Sequence, residues 1–292
     1  MQMPVVPLPP ELSQPDAQLD QLRDTARSIW SGPEGARIHW AEWGPRDAPV
    51  MVMLHGAYGS WPHFVRNINA FSHDHRVLIP DIPGYGRSDT PPAPVRLVDI
   101  AAHLARALDE VIGSDTPYRL VGFSFGGGLS GPLLLEHPGR QTHVLLGAPA
   151  GIAPPATPAM VSVRNRTGDD LIAAQRANLQ SIMLKRPSSV TPLALRIQHE
   201  CTAMARLRVE RVDWGPGLIV SVPGYKGNLT CVWGDSDSFV DPAELPDRPA
   251  RIRAMNPAAD THILPDTGHW MQFESAEGFN AILRDLVSKP PV

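Results

Sequence analysis

The sequence is short of several things, and each shortage narrows what the chain can be. Its 292 residues hold two cysteines, Cys201 and Cys231, far apart and outside any CxxC or Cys/His cluster. That excludes a disulfide framework and a zinc site, and both read as small buried apolar residues. No stretch approaches the roughly 20 uninterrupted apolar residues of a membrane span. The opening MQMPVVPLPPELSQPD lacks the basic start and apolar middle of a signal peptide, so the expected location is cytoplasmic. Basic blocks with interleaved aromatics are missing and the net charge is -4, which argues against nucleic acid as the main partner. A small-molecule ligand is the better expectation.

What is present reads as an α/β protein. Residues 1–16 are proline-rich and expected to form a surface arm, followed by a helical pattern near LDQLRDTA. ARSIW and ARIHWAEWG have strand character, with a Gly-Pro turn between them. VMVMLHG and RVLIPDIPG are continuous apolar runs of the kind found in buried parallel strands. LVDIAAHLARALDEVIG has the three-to-four spacing of an amphipathic helix and ends at a glycine. YRLVGF and THVLLGAPA add two strands with a glycine-started helix between them, and strand, helix, strand in that order implies a parallel sheet with crossover helices.

The rhythm breaks at IAPPATPAM. From there to about Gly224 the chain carries helical patterns (DDLIAAQRANLQSIMLK, TPLALRIQHECTAMARLRV) and little strand signal. NLTCVWGDSD and THILPDTGH restore strands before a last helix around AEGFNAILRDLVS. The expected organisation is a core domain from 1–151 and 225–292 with a helical cap inserted at 152–224. The inserted segment is net basic and the remainder net acidic. A solvated helical face explains this; attraction of an anionic substrate group is the sharper alternative.

Four short stretches carry chemistry. Gly122-Phe123-Ser124-Phe125-Gly126 matches G-x-S-x-G between a strand and a helix, the setting of a nucleophile elbow. Glycines two before and two after are expected because side chains would clash in so tight a turn. A serine hydroxyl is a poor nucleophile at neutral pH and needs a histidine base oriented by a carboxylate, in the chain order Ser, Asp/Glu, His. VWGDSD offers Asp237, whose spacing from Gly234 lets the chain turn first, with Asp235 as fallback; DTGHW offers His269. Of the eleven histidines, only His269 is late, loop-borne and glycine-preceded. His55 sits beside the LHGAYGS loop, where a structural hydrogen bond is expected of it. A tetrahedral intermediate also needs two backbone N–H donors, here expected from Phe125 and Ala57.

With these residues in place the chain resembles the α/β-hydrolase superfamily over nearly its whole length, including Asp81-Ile-Pro-Gly84-Tyr-Gly86-Arg-Ser88, expected to be a tight turn beside the cleft. The resemblance implies an α/β-hydrolase fold and no cofactor or metal. Within the superfamily the chain looks most like the capped meta-cleavage-product hydrolases, which split carbon–carbon bonds, and their carboxylesterase relatives. Arg66-Asn67-Ile68, SSVTPLALRIQ and Gly268-His269-Trp270-Met-Gln-Phe carry that likeness. Two positions depart from the carbon–carbon enzymes: Phe123 stands where they have asparagine, and Gln198 aligns with an arginine that grips an anionic dienoate. Glutamine cannot replace that charge.

The reading is therefore a serine hydrolase, a carboxylesterase acting on a small-molecule ester or related acyl compound with an apolar group. Tyr58, Phe123, Gln198 and Trp270 are the candidate substrate contacts, with Trp61 and Phe125 adding apolar wall. Two alternatives stay open: carbon–carbon hydrolysis, and a ligand-binding receptor built on the same fold. A homodimer also stays open, because no exposed patch can be read from sequence.

Overall fold

The computed structural model describes residues 8, 9, 12–14 and 16–292; most of the expected proline-rich arm lies outside the described residues. The chain begins with α1 (Ala17–Thr25), capped by the Asp16 carboxylate, which accepts from the Leu19 N–H. Then come β1 (Arg27–Ser31), β2 (Ile38–Trp43), β3 (Val50–Leu54), a 3-10 turn at Trp61–Phe64, α2 (Ile68–Phe71) and β4 (Arg76–Pro80). The short β5 (Val95–Arg96) leads into α3 (Leu97–Ile112), β6 (Tyr118–Phe123), α4 (Phe125–Glu136) and β7 (Gln141–Gly147). After β7 the chain forms α5 (Gly168–Asn178), α6 (Pro192–Ala203), β8 (Val212–Asp213) and α7 (Gly217–Ser221). It closes with β9 (Asn228–Gly234), α8 (Asp247–Met255), β10 (Asp260–Leu264), α9 (Met271–Glu274) and α10 (Ala276–Ser288).

Eight of these strands form one sheet in the order β1-β2-β4-β3-β6-β7-β9-β10. Only the β1/β2 and β2/β4 pairs are antiparallel; every pair from β4 to β10 is parallel. This is the expected α/β-hydrolase fold. The continuous apolar runs explain the centre of the sheet: all five residues of β3 are buried, because crossover helices cover both faces. Helix α3 buries Leu97, Ile100, Ala101, Leu104, Ala105, Ala107 and Leu108, the spacing of one helical face. Each fully buried Leu or Ile there contributes about 1.5–3 kcal/mol.

The segment between β7 and β9 is fastened to the rest at several points. Arg206 donates to the carbonyls of Gly86 and Ser88, and the Arg206 and Leu207 N–H groups both donate to Gly84 O, at 2.8 and 3.0 Å. A Cβ on Gly84 would lie 2.5 Å from Leu207 Cβ, so the glycine is what admits this contact. At the other end, Arg196 and Glu200 of α6 pair with Asp20 and Arg23 of α1 at 2.9 and 2.6 Å. The Asp81–Ser88 turn is thus a contact point for the segment between β7 and β9 as well as a tight turn.

The first turn of α4 is pressed against the end of β3. A Cβ on Gly126 would stand 2.3 Å from Leu54 O and 2.6 Å from His55 O, both backbone. Since backbone cannot move aside as a side chain can, Gly126→Ala is expected to cost about 1–3 kcal/mol of stability. Urea denaturation of the variant checks this, and an unchanged midpoint would mean the contact can relax.

Candidate active site

Ser124 joins β6 to α4 with φ 52° and ψ -111°, a left-handed conformation costing a non-glycine residue about 1–3 kcal/mol. It persists because both sides of the turn are fixed. Ser124 N–H donates to Gly147 O at 2.9 Å, its carbonyl accepts from Gly128 and Ala150, and Gly126 N–H donates to His55 O at 3.1 Å. At Gly122 a Cβ would lie 2.3 Å from Ser130 Oγ, so the glycines flanking the serine are required by packing, as expected. The turn leaves the Ser124 side chain half-buried while Phe123 and Phe125 on either side are buried.

Ser124 Oγ lies 2.9 Å from His269 Nε2, and both Asp237 carboxylate oxygens lie 2.9 Å from His269 Nδ1. The three residues come from the ends of β6, β10 and β9. Asp237 and His269 are buried, at 4% and 5% exposure. Because an ionised carboxylate only accepts, the proton sits on Nδ1 and the Nε2 lone pair faces the serine. The fallback Asp235 serves elsewhere: it accepts from the N–H groups of Asp266 and Thr267 at 2.8 and 3.1 Å and fixes the loop that carries His269. Phe239 stacks obliquely on the His269 ring with ring centroids 4.6 Å apart, and Phe123 does so at 5.0 Å.

The N–H groups of Ala57 and Phe125 donate to no hydrogen bond among the described residues, whereas their neighbours Gly59 and Gly126 do. A Cβ on Gly56 would come within 3.4 Å of Ser124 Cβ, so the loop bearing Ala57 runs directly past the serine. Tyr58, at φ 57°, turns its ring outward and donates to both oxygens of Glu210 at 3.0 Å, tying this loop to the segment between β7 and β9. Burial and the Glu210 carboxylate raise the Tyr58 hydroxyl above its usual range. His55 has the expected structural role: it bonds Gly56 O through Nδ1 at 2.8 Å and accepts from Ile82 N–H at Nε2, 3.0 Å.

The remaining candidates fall in several places. Trp270 is buried behind the base, donates to His63 O at 2.9 Å and stacks on Phe273 at 4.2 Å. Phe125 packs edge-on to Trp214 at 5.4 Å. Gln198 is a half-buried residue of α6, on which its carbonyl accepts from Thr202. Trp61 is a correction: it is buried with its ring 5.3 Å from Trp43, a core contact and not cleft wall, because the 3-10 turn at Trp61–Phe64 points it inward.

Two features escape the sequence reading. Glu274, five residues beyond His269, accepts from the N–H groups of Gly268, Lys185 and Arg186 at 2.6, 3.0 and 2.8 Å, linking the His269 loop to the segment between β7 and β9. Its signal was its position at the end of the Gly268–Phe273 motif. His63, 4% exposed, packs between Phe123 and Trp270 and fills the space a Cβ on Gly59 would need. Nothing in its sequence context marks it. Burial holds the His63 imidazole well below the usual histidine range, and the positive forms of His55 and His269 would push it further down. Burial also lowers His55.

The alpha/beta hydrolase family model matches residues 51–282. A 2-hydroxy-6-oxo-6-phenylhexa-2,4-dienoate hydrolase of Burkholderia cepacia is 26% identical over 288 residues, covering 88% of this chain and 93% of the relative. Among solved structures, an esterase from Rhodococcus superposes with TM-score 0.71 at 18% identity, covering 91% of this chain and 99% of that one. A meta-cleavage product hydrolase from Pseudomonas fluorescens gives TM-score 0.69 at 21% identity over 90% and 97%. At such identities the structural likeness is one of fold.

The two neutral histidines set an acid limit. Their folded-state pKa values lie below those of the unfolded chain, so at low pH the unfolded state binds more protons and stability falls with pH. The loss begins below about pH 6.5 and amounts to about 1.4 kcal/mol per unit for each group still neutral. Thermal melts from about pH 8 to about pH 5 check this; a constant Tm would show that the histidines are not held neutral.

Proposed function

The chain belongs to the alpha/beta hydrolase family, and we propose that it is a serine hydrolase whose substrate is a small-molecule carboxylic ester bearing an apolar group. The single observation that carries the reading is the hydrogen-bonded line from Asp237 through His269 to Ser124, beside two backbone N–H groups without partners among the described residues. In this reading Ser124 Oγ attacks the acyl carbon as its proton passes to His269 Nε2. Asp237 holds the imidazole in the required tautomer and stabilises the imidazolium. Ala57 and Phe125 N–H receive the oxyanion, with the positive end of α4 behind Phe125. His269 then protonates the departing alcohol, and water activated by the same nitrogen releases the acid.

An ester is favoured over an anionic dienoate by the character of the wall. Phe123 and Phe239 pack on the His269 ring and Trp214 packs on Phe125, so the surroundings of Ser124 are aromatic, and Gln198 carries no charge where the carbon–carbon enzymes have arginine. Residues 152–224 act as a cap, seated on the Asp81–Ser88 turn and on Glu274. The site is expected in the cytoplasm, with no cofactor. Carbon–carbon hydrolysis is the second reading, supported by the name of the Burkholderia cepacia relative.

Ser124→Ala is expected to lower kcat on p-nitrophenyl esters by at least about 10⁴-fold with the fold intact, and Asp237→Asn by about 10⁴-fold. Steady-state assays of an acetate-to-octanoate series check both. Retention of most activity in either variant would sink the mechanism. A wild type that ignores every ester but cleaves a coloured dienoate would replace the ester reading with the second one.

A further inference from the structure

A second serine, histidine and aspartate stand in line far along the sheet from Ser124. Ser28 on β1 places its Oγ 2.9 Å from His39 Nε2, and His39 Nδ1 lies 2.9 Å from Asp81 Oδ2. These distances and ring atoms match those at Ser124. The β1/β2 register explains the meeting: Ser28 faces Ala41 and Trp30 faces His39, so serine and imidazole are diagonal neighbours on one face.

The inner part of the array is built and dry. His39 and Asp81 are each 1% exposed. Burial alone would raise the Asp81 carboxyl, but hydrogen bonds from the His39 ring, the Ser60 hydroxyl and the Arg87 N–H hold it below its usual range. A carboxylate so held can only accept, which fixes the proton on His39 Nδ1 and turns the Nε2 lone pair toward the surface. There Ser28 is exposed, and Arg87 Nη1 lies 3.4 Å from its Oγ and 3.2 Å from Nε2. Trp30, 37% exposed, supplies an aromatic face beside it.

We propose that Ser28, activated by His39 and Asp81, is a second nucleophilic site that takes an acyl group from activated aryl esters. Ser28 Oγ bonds to the acyl carbon, the carbon–oxygen bond to the phenol breaks, and the serine proton passes to His39 Nε2 and then to the departing phenolate. Arg87 is the cation nearest the developing negative charge. Ser28 is exposed on the outermost strand of the sheet, so the proposal sets the developing oxyanion against Arg87 and water, whereas Ser124 is half-buried beside the Ala57 and Phe125 N–H groups. Deacylation at Ser28 is accordingly slower than acylation, and the site is acylated once instead of turning over.

The experiment uses Ser124→Ala with p-nitrophenyl acetate, read by intact mass, peptide mapping and release of nitrophenol. One acetyl per chain on Ser28, with one equivalent of nitrophenol, is expected. The double variant Ser28→Ala/Ser124→Ala should take up none. General-base help predicts that native Ser28 reacts at least about 100-fold faster than the same serine in urea-unfolded chain, a comparison needing no buried substitution. His39→Gln, if it folds, should lose that advantage. An unmodified Ser28, or equal rates in native and unfolded chain, would overturn the proposal and leave the array as a clamp between β1 and the Asp81 turn.

Discussion

The backbone at Ser124 holds a left-handed conformation because α4 starts within touching distance of the end of β3, and the geometry of the site follows from that approach. The Gly126 N–H reaches His55 O, the Ser124 N–H reaches Gly147 O, and no Cβ fits at Gly122 or Gly126. Release of the strain would let the serine relax into the helix and withdraw its hydroxyl from His269. The same crowding brings the loop of Ala57 past the serine, so the Ser124 hydroxyl and the Ala57 and Phe125 N–H groups are positioned by one packing contact. The free energy stored there is of order 1–3 kcal/mol, small against the many buried residues of the sheet that hold it.

Around this centre the polar groups divide by partner. Asp237, Asp81 and Glu274 are buried carboxylates, each accepting from more than one donor, and they fix the His269 ring, the Asp81–Ser88 turn, and the junction of the His269 loop with Lys185 and Arg186. Burial lowers the His55 and His63 imidazoles below the usual histidine range, which disfavours a cation beside the Ala57 loop. The segment between β7 and β9 is held by Arg206 at one side, by Glu274 at another and by the Tyr58–Glu210 hydrogen bonds. The last of these is exposed and the easiest to give way.

Much of this is legible in the sequence, and the physical reasons are specific. β3, β4, β6, β7 and β9 are legible because buried parallel strands need unbroken apolar runs, and Ser124 and Asp237 because each falls just after such a run; His269 follows β10, an edge strand of mostly exposed residues, and is marked instead by its late, glycine-preceded loop. The glycines around Ser124 announce a turn that excludes Cβ atoms. The side-chain direction of Trp61 is not legible, since a 3-10 turn after a glycine-rich loop has no periodicity to orient it. Glu274, Tyr58–Glu210 and the Ser28–His39–Asp81 line depend on contacts between segments far apart in the chain, and pairing of that kind leaves no local pattern.

The central claim is that turnover passes through the Ser124 hydroxyl. Titration of the wild-type protein with an alkyl fluorophosphonate, following ester hydrolysis and the mass of the Ser124 peptide together, tests it most directly. The account predicts that activity disappears in proportion to phosphonylation of Ser124 and reaches zero when that serine is fully modified. Hydrolysis that continues on fully modified Ser124, or that is lost while Ser124 stays unmodified, would contradict it.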